Sequence, residues 1–459
     1  MTTDEHERLR ESPSDDDPWR LWGPYLSGRQ WGTVREDYSA DGNAWDFFPF
    51  DHAHARTYRW GEDGIAGLAD RFGFLNLAIA LWNGQDDRLK ERYFGLTNAE
   101  GNHGEDAKEY WWALDATPTH AWAQSLYRYP QAAFPYDHLR EENARRGTDQ
   151  PEFRLADTGI LEGDRFFDVV TTHAKVAPDD ICITYEATNH GPDPAPLDLV
   201  PQLWFRNTWS WGVDPRQPTL RLLSERDTRA VGTTVIEATH GWLGRYHLIA
   251  EGSPAVHFCD NETNPRVFGE TAAEAGGTAY PKDAINDAIV HGDQSRLNPA
   301  LTGTKVGLRY HFDAVGPGES VIVRLRLRGD HQVERPFGST YAEVLANRRA
   351  EADAFHEQVV PEGVSEVDRE IARRAFAGLC WGKQLYRYSV REWLDGDPGQ
   401  PPPPPERRLR NGRNNGWRHL ALADVISMPD EWEYPWFATW DLAFHCVAMA
   451  RIDPAFAKG

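Results

Sequence analysis

Between residues 151 and about 335 apolar residues recur in short alternating runs separated by turn signals, and from about 340 the spacing changes to that of helices. This switch constrains the fold more than any other feature, because side chains that alternate every two residues cannot line one face of a helix. The alternating runs are Phe166–Val176, Ile181–Thr188, Thr234–Ala238, Tyr246–Ala250, Val306–Phe312 and Val321–Leu327, a density of short strands that predicts an antiparallel sandwich. Thr340–Val359 and Glu366–Ser389 read as helices, and Trp436–Arg451 as a further, apolar one. Between them Gly399–Pro405 is a proline run, lacking backbone donors and therefore a surface loop. Residues 18 to about 150 look like structured loops interleaved with strands, with one helix expected near Gly64–Leu81, where apolar residues recur at 3–4 spacing. The resulting division is an acidic disordered tail at 1–17, a β-sandwich domain at 18–338, a linker helix at 339–364 and helices at 365–459.

Composition narrows the partners. The chain carries 49 Lys+Arg against 71 Asp+Glu, a formal charge of −22 that repels nucleic acid and anionic membrane surfaces. The most apolar stretch, Leu75–Trp82, is far short of a membrane span. Cys182, Cys259, Cys380 and Cys446 show no CxxC spacing, so free thiols and a cytoplasmic setting are expected, with neither zinc site nor disulfide framework. The 19 Trp, 16 Tyr and 20 Phe stand out, since flat apolar rings with polar edges suit sugar rings as well as they suit large cores.

Nucleotide chemistry finds no motif here. GxSxG, P-loop and GxGxxG are all missing, and Gly61, Gly64 and Gly67 have the wrong spacing for a dinucleotide; no cofactor is implied. Asp51–His52–Ala53–His54 offers two metal ligands without a third, so ordinary hydrogen-bonded histidines are favoured. Gly101–Asp106 has the composition of a turn. The strongest constellation is Glu431–Asp441. Pro435 suits the first turn of a helix on which Trp436 and Trp440, four apart, share a face beside Asp441. A carboxyl among apolar rings is pushed toward its neutral form, which is what a general acid for glycosidic cleavage requires. A paired core carboxylate accounts for the same residue equally well. Glycoside cleavage needs two carboxylates, and only one has such a setting here.

These residues resemble glycoside hydrolase family 63 and its bacterial relatives of the mannosyl-oligosaccharide glucosidase-like and mannosylglycerate or glucosylglycerate hydrolase-like kinds. The resemblance is carried by RQWGTVREDYS at 29–39, YRWGEDGIAG at 58–67, GLTNAEGNHGEDAKEYWW at 95–112, LWFRNTWSWG at 203–212 and ADVISMPDEWEYPWFATWDLAFH at 423–445. It implies an N-terminal super-β-sandwich followed by an (α/α)6 barrel, and an inverting glucosidase-like hydrolase acting on α-linked glucosyl or mannosyl glycosides. Asp441, directly after Trp440, takes the place of the family's general acid, with Trp436, Trp440, Tyr434 and Glu433 lining the substrate. The general base belongs to a later part of the barrel. A twelve-helix barrel needs on the order of 200 residues, more than follow the sandwich, so the expectation is an incomplete barrel, a base outside the chain and an inactive fragment. A non-catalytic sugar-binding fragment and an inverting phosphorylase are the alternatives. The latter needs an anion site, and no basic or glycine-rich cluster is visible in the sequence to supply one.

Overall fold

A computed structural model describes all residues except 1, 12–17, 39–46, 97–99, 101–108, 213, 225–231, 269–276, 331–335, 397–402, 404, 410–411, 429–436 and 438. Its centre is two antiparallel sheets packed face to face. The first runs, in spatial order, β1 (Trp22–Gly23), β2 (Ile65–Asp70), β3 (Leu75–Trp82), β8 (Ala195–Phe205), β14 (Lys305–Val315) and β12 (Ala255–Cys259). The second runs β13 (Thr302–Gly303), β9 (Thr219–Leu222), β10 (Thr233–His240), β11 (Gly244–Glu251), β15 (Ser320–Gly329), β7 (Asp180–Asn189), β6 (Phe166–Ala177), β5 (Trp122–Pro130) and β4 (Trp111–Ala116). Ile79, Leu199, Leu203 and Val306 from the first meet Val169, Ile183, Ile236 and Leu325 from the second in one core. The expected sandwich is present, and all six alternating runs fall within strands of it.

The helix expected at Gly64–Leu81 is instead the hairpin β2–β3. Both strands are buried on both faces, and a continuous apolar run has no periodicity that separates strand from helix. The turn decides the matter. Gly73 has φ +61°, and the Asp70 carboxylate accepts from the backbone N–H of Phe72 (2.9 Å) and Leu75 (2.7 Å), geometry no helix offers.

Residues 4–11 are likewise not a disordered tail but a helix, α1 (Asp4–Glu11). Buried Glu5 accepts from the backbone N and Oγ1 of Thr119, both at 2.8 Å, and pairs with Arg8. These anchors lie far away in sequence, so composition alone misread the segment. The acidic run at 15–17 falls outside the described residues. A second helix, α2 (Tyr136–Arg145), follows the first strands.

After the sandwich come α3 (Ser339–Val359) and α4 (Glu366–Trp381), which cover the β4–β7 side of the larger sheet through Tyr341, Phe355, Ala377 and Trp381. The helix expected to run on to Ser389 stops at Trp381. Lys383–Ser389 is β16, paired with β17 (Ala421–Ser427), because Leu385, Arg387 and Ser389 alternate with the more deeply buried Gln384, Tyr386 and Tyr388. A short helix, α5 (Val390–Asp395), follows β16, and most of the proline run lies outside the described residues. The chain then forms α6 (Thr439–Met449) and α7 (Pro454–Lys458). Among the described residues, no helix is long and apolar enough to cross a membrane, and the four cysteines are free thiols.

Candidate functional site

The sequence motifs, scattered over more than 400 residues, converge on the hairpin β16–β17. Glu36 accepts from the backbone N of Trp60 and from Gln30 Nε2, each at 2.9 Å, so segments 29–38 and 58–63 are laced together. Asp63 completes the tie by accepting from Gln30 N at 3.1 Å. Arg35 lies over the Tyr386 ring (4.3 Å) and donates to the Arg387 carbonyl, while Trp60 meets Tyr388 edge-on at 5.2 Å. The 203–212 segment joins through Asn261, whose side chain donates to Phe205 O (3.0 Å) and Glu62 Oε1 (2.8 Å). Most of the 95–112 motif lies outside the described residues.

At the far end of the hairpin stands α6. Asp441 sits in its first turn, half-exposed, and Trp440 beside it is 71% exposed. His445, four residues on and thus on the same helix face, is fixed by Ser427 Oγ at 2.9 Å from its Nδ1. Burial lowers the pKa of His445, and the Asp441 carboxylate partly offsets this. Phe437 reaches back to the Tyr386 ring at 6.0 Å. The rings described around Asp441 do not enclose it, since Trp440 and Phe444 both face outward. Glu433, Tyr434 and Trp436 lie outside the described residues. Asp441 and Trp440 are therefore presented together at an accessible helix start, next to the surface on which the other motifs meet.

Sequence reasoning missed a second group. Glu62, Asp63, Glu91, Arg92, Lys282 and Lys305 are all buried against the smaller sheet. Arg92 pairs with Asp63 (3.1 Å), Lys305 with Glu91 (3.0 Å), and Lys282 donates to the Arg56 carbonyl (2.8 Å). Burial pushes Glu62 up to about 7, only partly opposed by Lys282, and pushes Lys282 down to about 8 with the help of Arg92 and Lys305. For Glu91 burial acts upward too, but Lys305 and Arg92 outweigh it and hold the carboxyl at about 2. The space these groups enclose has room for about one water molecule, too small for a sugar ring. The charged residues inside YRWGEDGIAG were the available signal, but Arg92 lies 29 positions from Asp63 and Asn261 lies 199 from Glu62. His52 and His54 are held toward the neutral form by burial, and among the described residues no group of three or more metal-ligating side chains gathers.

No family model matches the chain. An uncharacterized protein of Saccharomyces cerevisiae, YMR196W, is 41% identical over 502 aligned positions, which take in all of this chain and 45% of the yeast protein. The chain thus spans less than half the length of that relative. Among solved structures, the crystal structure of a "putative aldose 1-epimerase" from Escherichia coli K12 aligns with 48% of this chain and 67% of its own, at 10% identity and a TM-score of 0.24, a likeness too slight to establish a shared fold.

Proposed function

We propose that this chain is part of an inverting, glucosidase-like glycoside hydrolase acting on α-linked glucosyl or mannosyl glycosides, with Asp441 as the general acid. One observation carries the reading. Asp441 and the exposed Trp440 ring, adjacent in the motif that resembles the family's acid, stand side by side at the open start of α6. A general acid must reach the leaving oxygen, and a bare indole face gives a sugar ring something to stack on. Trp436, Tyr434 and Glu433 are assigned to the same substrate wall. Inversion needs a second carboxylate across the sugar, and it is assigned to sequence corresponding to the additional length of the yeast relative. In this reading residues 18–338 form the sandwich domain, 339–364 the linker helix, and 365–459 the first helices of an (α/α)6 barrel. Val367, Ile371, Phe444 and Val447, all exposed here, face later barrel helices.

The test is an enzyme extended to the length of the yeast relative and its Asp441→Asn variant. The substitution is expected to lower kcat by at least ~10²-fold with little change in KM, as loss of general acid catalysis does. NMR of the first-formed product should show the inverted anomer. Retained configuration, or an unimpaired variant, removes the mechanism proposed.

A further inference from the structure

Three arginines that are far apart in sequence, Arg59, Arg206 and Arg387, come together where β16 crosses the turn between β2 and β3. Arg206 is 4% exposed, and its Nε donates to the Gly73 carbonyl (3.1 Å) while an Nη reaches the Arg59 carbonyl (3.5 Å). Leu385 packs against Gly73, and Arg387, two residues further along β16, lies on the same side of the strand as Leu385. Arg59 pairs with Glu392 at 2.6 Å. Among the described residues neither Arg206 nor Arg387 has a carboxylate within ion-pairing distance, and the half-exposed guanidinium of Arg387 has no hydrogen-bond acceptor. The other anionic groups facing the cluster are engaged elsewhere. Asp70 caps the backbone of its own turn, and Glu62 accepts from Asn261. Burial, and then Arg387, push the Arg206 pKa down to about 9, with Glu62 and Asp70 opposing the shift only in part.

Collecting like charges this way is unfavourable in itself, and in a chain of net charge −22 it calls for an anion. We propose that Arg387, Arg206 and Arg59 form a phosphate-binding subsite, taking phosphate either free or esterified to a sugar. Arg387 brings a guanidinium whose donors are not engaged, and Arg206 and Arg59 add to the positive field around it, a setting that suits an oxyanion. The wall beside them is aromatic. Phe74 lies 6.0 Å from the Arg206 guanidinium and stacks on His240 at 4.4 Å, and Phe72 next to it is 49% exposed, a surface for the sugar of a phosphate ester. Along β16 Arg387 is four residues from Lys383, the register partner of the Ser427 that holds His445. That spacing along the strand is roughly 14 Å at about 3.4 Å per residue.

The subsite does not rest on the glycosidase reading, because binding is read directly and without turnover. Calorimetric titration of the 459-residue chain with inorganic phosphate should give saturable binding that Arg387→Met weakens roughly tenfold or more, the loss expected for a charge-assisted hydrogen bond. Glu392→Gln, which removes the exposed competing carboxylate, should tighten it, so the idea does not depend on one variant folding. Glucose 6-phosphate binding more tightly than phosphate identifies the esterified source, and equal binding the free anion. Absent phosphate binding, Arg387→Met binding like the parent chain, or a site that takes glucuronate but not phosphate would each overturn the proposal.

Discussion

Asp453 shows how much one side chain can carry in this chain. It is fully buried, and its two oxygens accept from Arg20 Nη2 (2.8 Å), Lys383 Nζ (3.3 Å) and the backbone N of Phe456 (3.1 Å). Removing a buried carboxylate that bridges two cations strips both of its charge, a loss of about 3–5 kcal/mol. Asp453→Leu should therefore lower the urea midpoint by that equivalent. A variant as stable as the parent would mean that the cations find water or other acceptors. Nothing in the sequence distinguished Asp453 from its neighbours, since Arg20 and Lys383 precede it by 433 and 70 positions. Asp441 was legible because its partners in the argument, Trp440 and Pro435, are local. Arg387 was not, because the meaning of that arginine depends on Arg206 and Arg59.

Among the elements, α6 is the one whose orientation bears most on the proposed site. It buries Met449 beside Ile452 in the contact with α3 and α4, while Val447 is 77% exposed. Met449→Ala should cost about 2–5 kcal/mol by loss of buried contacts and creation of a cavity, whereas Val447→Thr should stay within about 0.5 kcal/mol. Chemical denaturation of both variants checks this, and reversed costs would mean that α6 is turned the other way, with Asp441 inward. Strands with polar residues along one face announced themselves by alternation, as β14 and β15 did. Elements buried on both faces did not. The hairpin β2–β3 read as a helix for that reason, and β16 read as an extension of α4 because the change of period falls at Gly382, a single residue.

The molecule as a whole should lose stability with acid in two stages. His173 is buried with neither ring nitrogen hydrogen-bonded, and burial, with Lys175 adding to it, holds its pKa near 3 against 6.5. A folded-state pKa below the unfolded one means that the stability is full above pH 6.5 and drains as pH falls toward 3. Asp115 and Glu91 follow. Burial raises both, but His356 and Arg373 around the first, and Lys305 and Arg92 around the second, hold each at about 2, so their contribution drains from about pH 4.5 downward. Glu62 and Asp70, raised by burial to about 7 and about 6, act in the opposite sense over pH 4–7 and oppose the first stage, which buried His120, also held well below 6.5, reinforces. Melting temperature measured against pH should show the decline, and His173→Phe should flatten its upper part. An unchanged profile in that variant would clear His173 of any role. What the sequence determined alone is whatever its local periods and spacings encode: a many-stranded sandwich giving way to helices, the six alternating strands, and the Trp440–Asp441 pair on a helix. Tertiary structure alone decided the docking of α1, the strands of β2–β3 and β16, the buried charge network and the arginine cluster. Each of these depends on pairing between residues from tens to hundreds of positions apart, and the period of a sequence reports which face of an element is apolar but not what that face will meet.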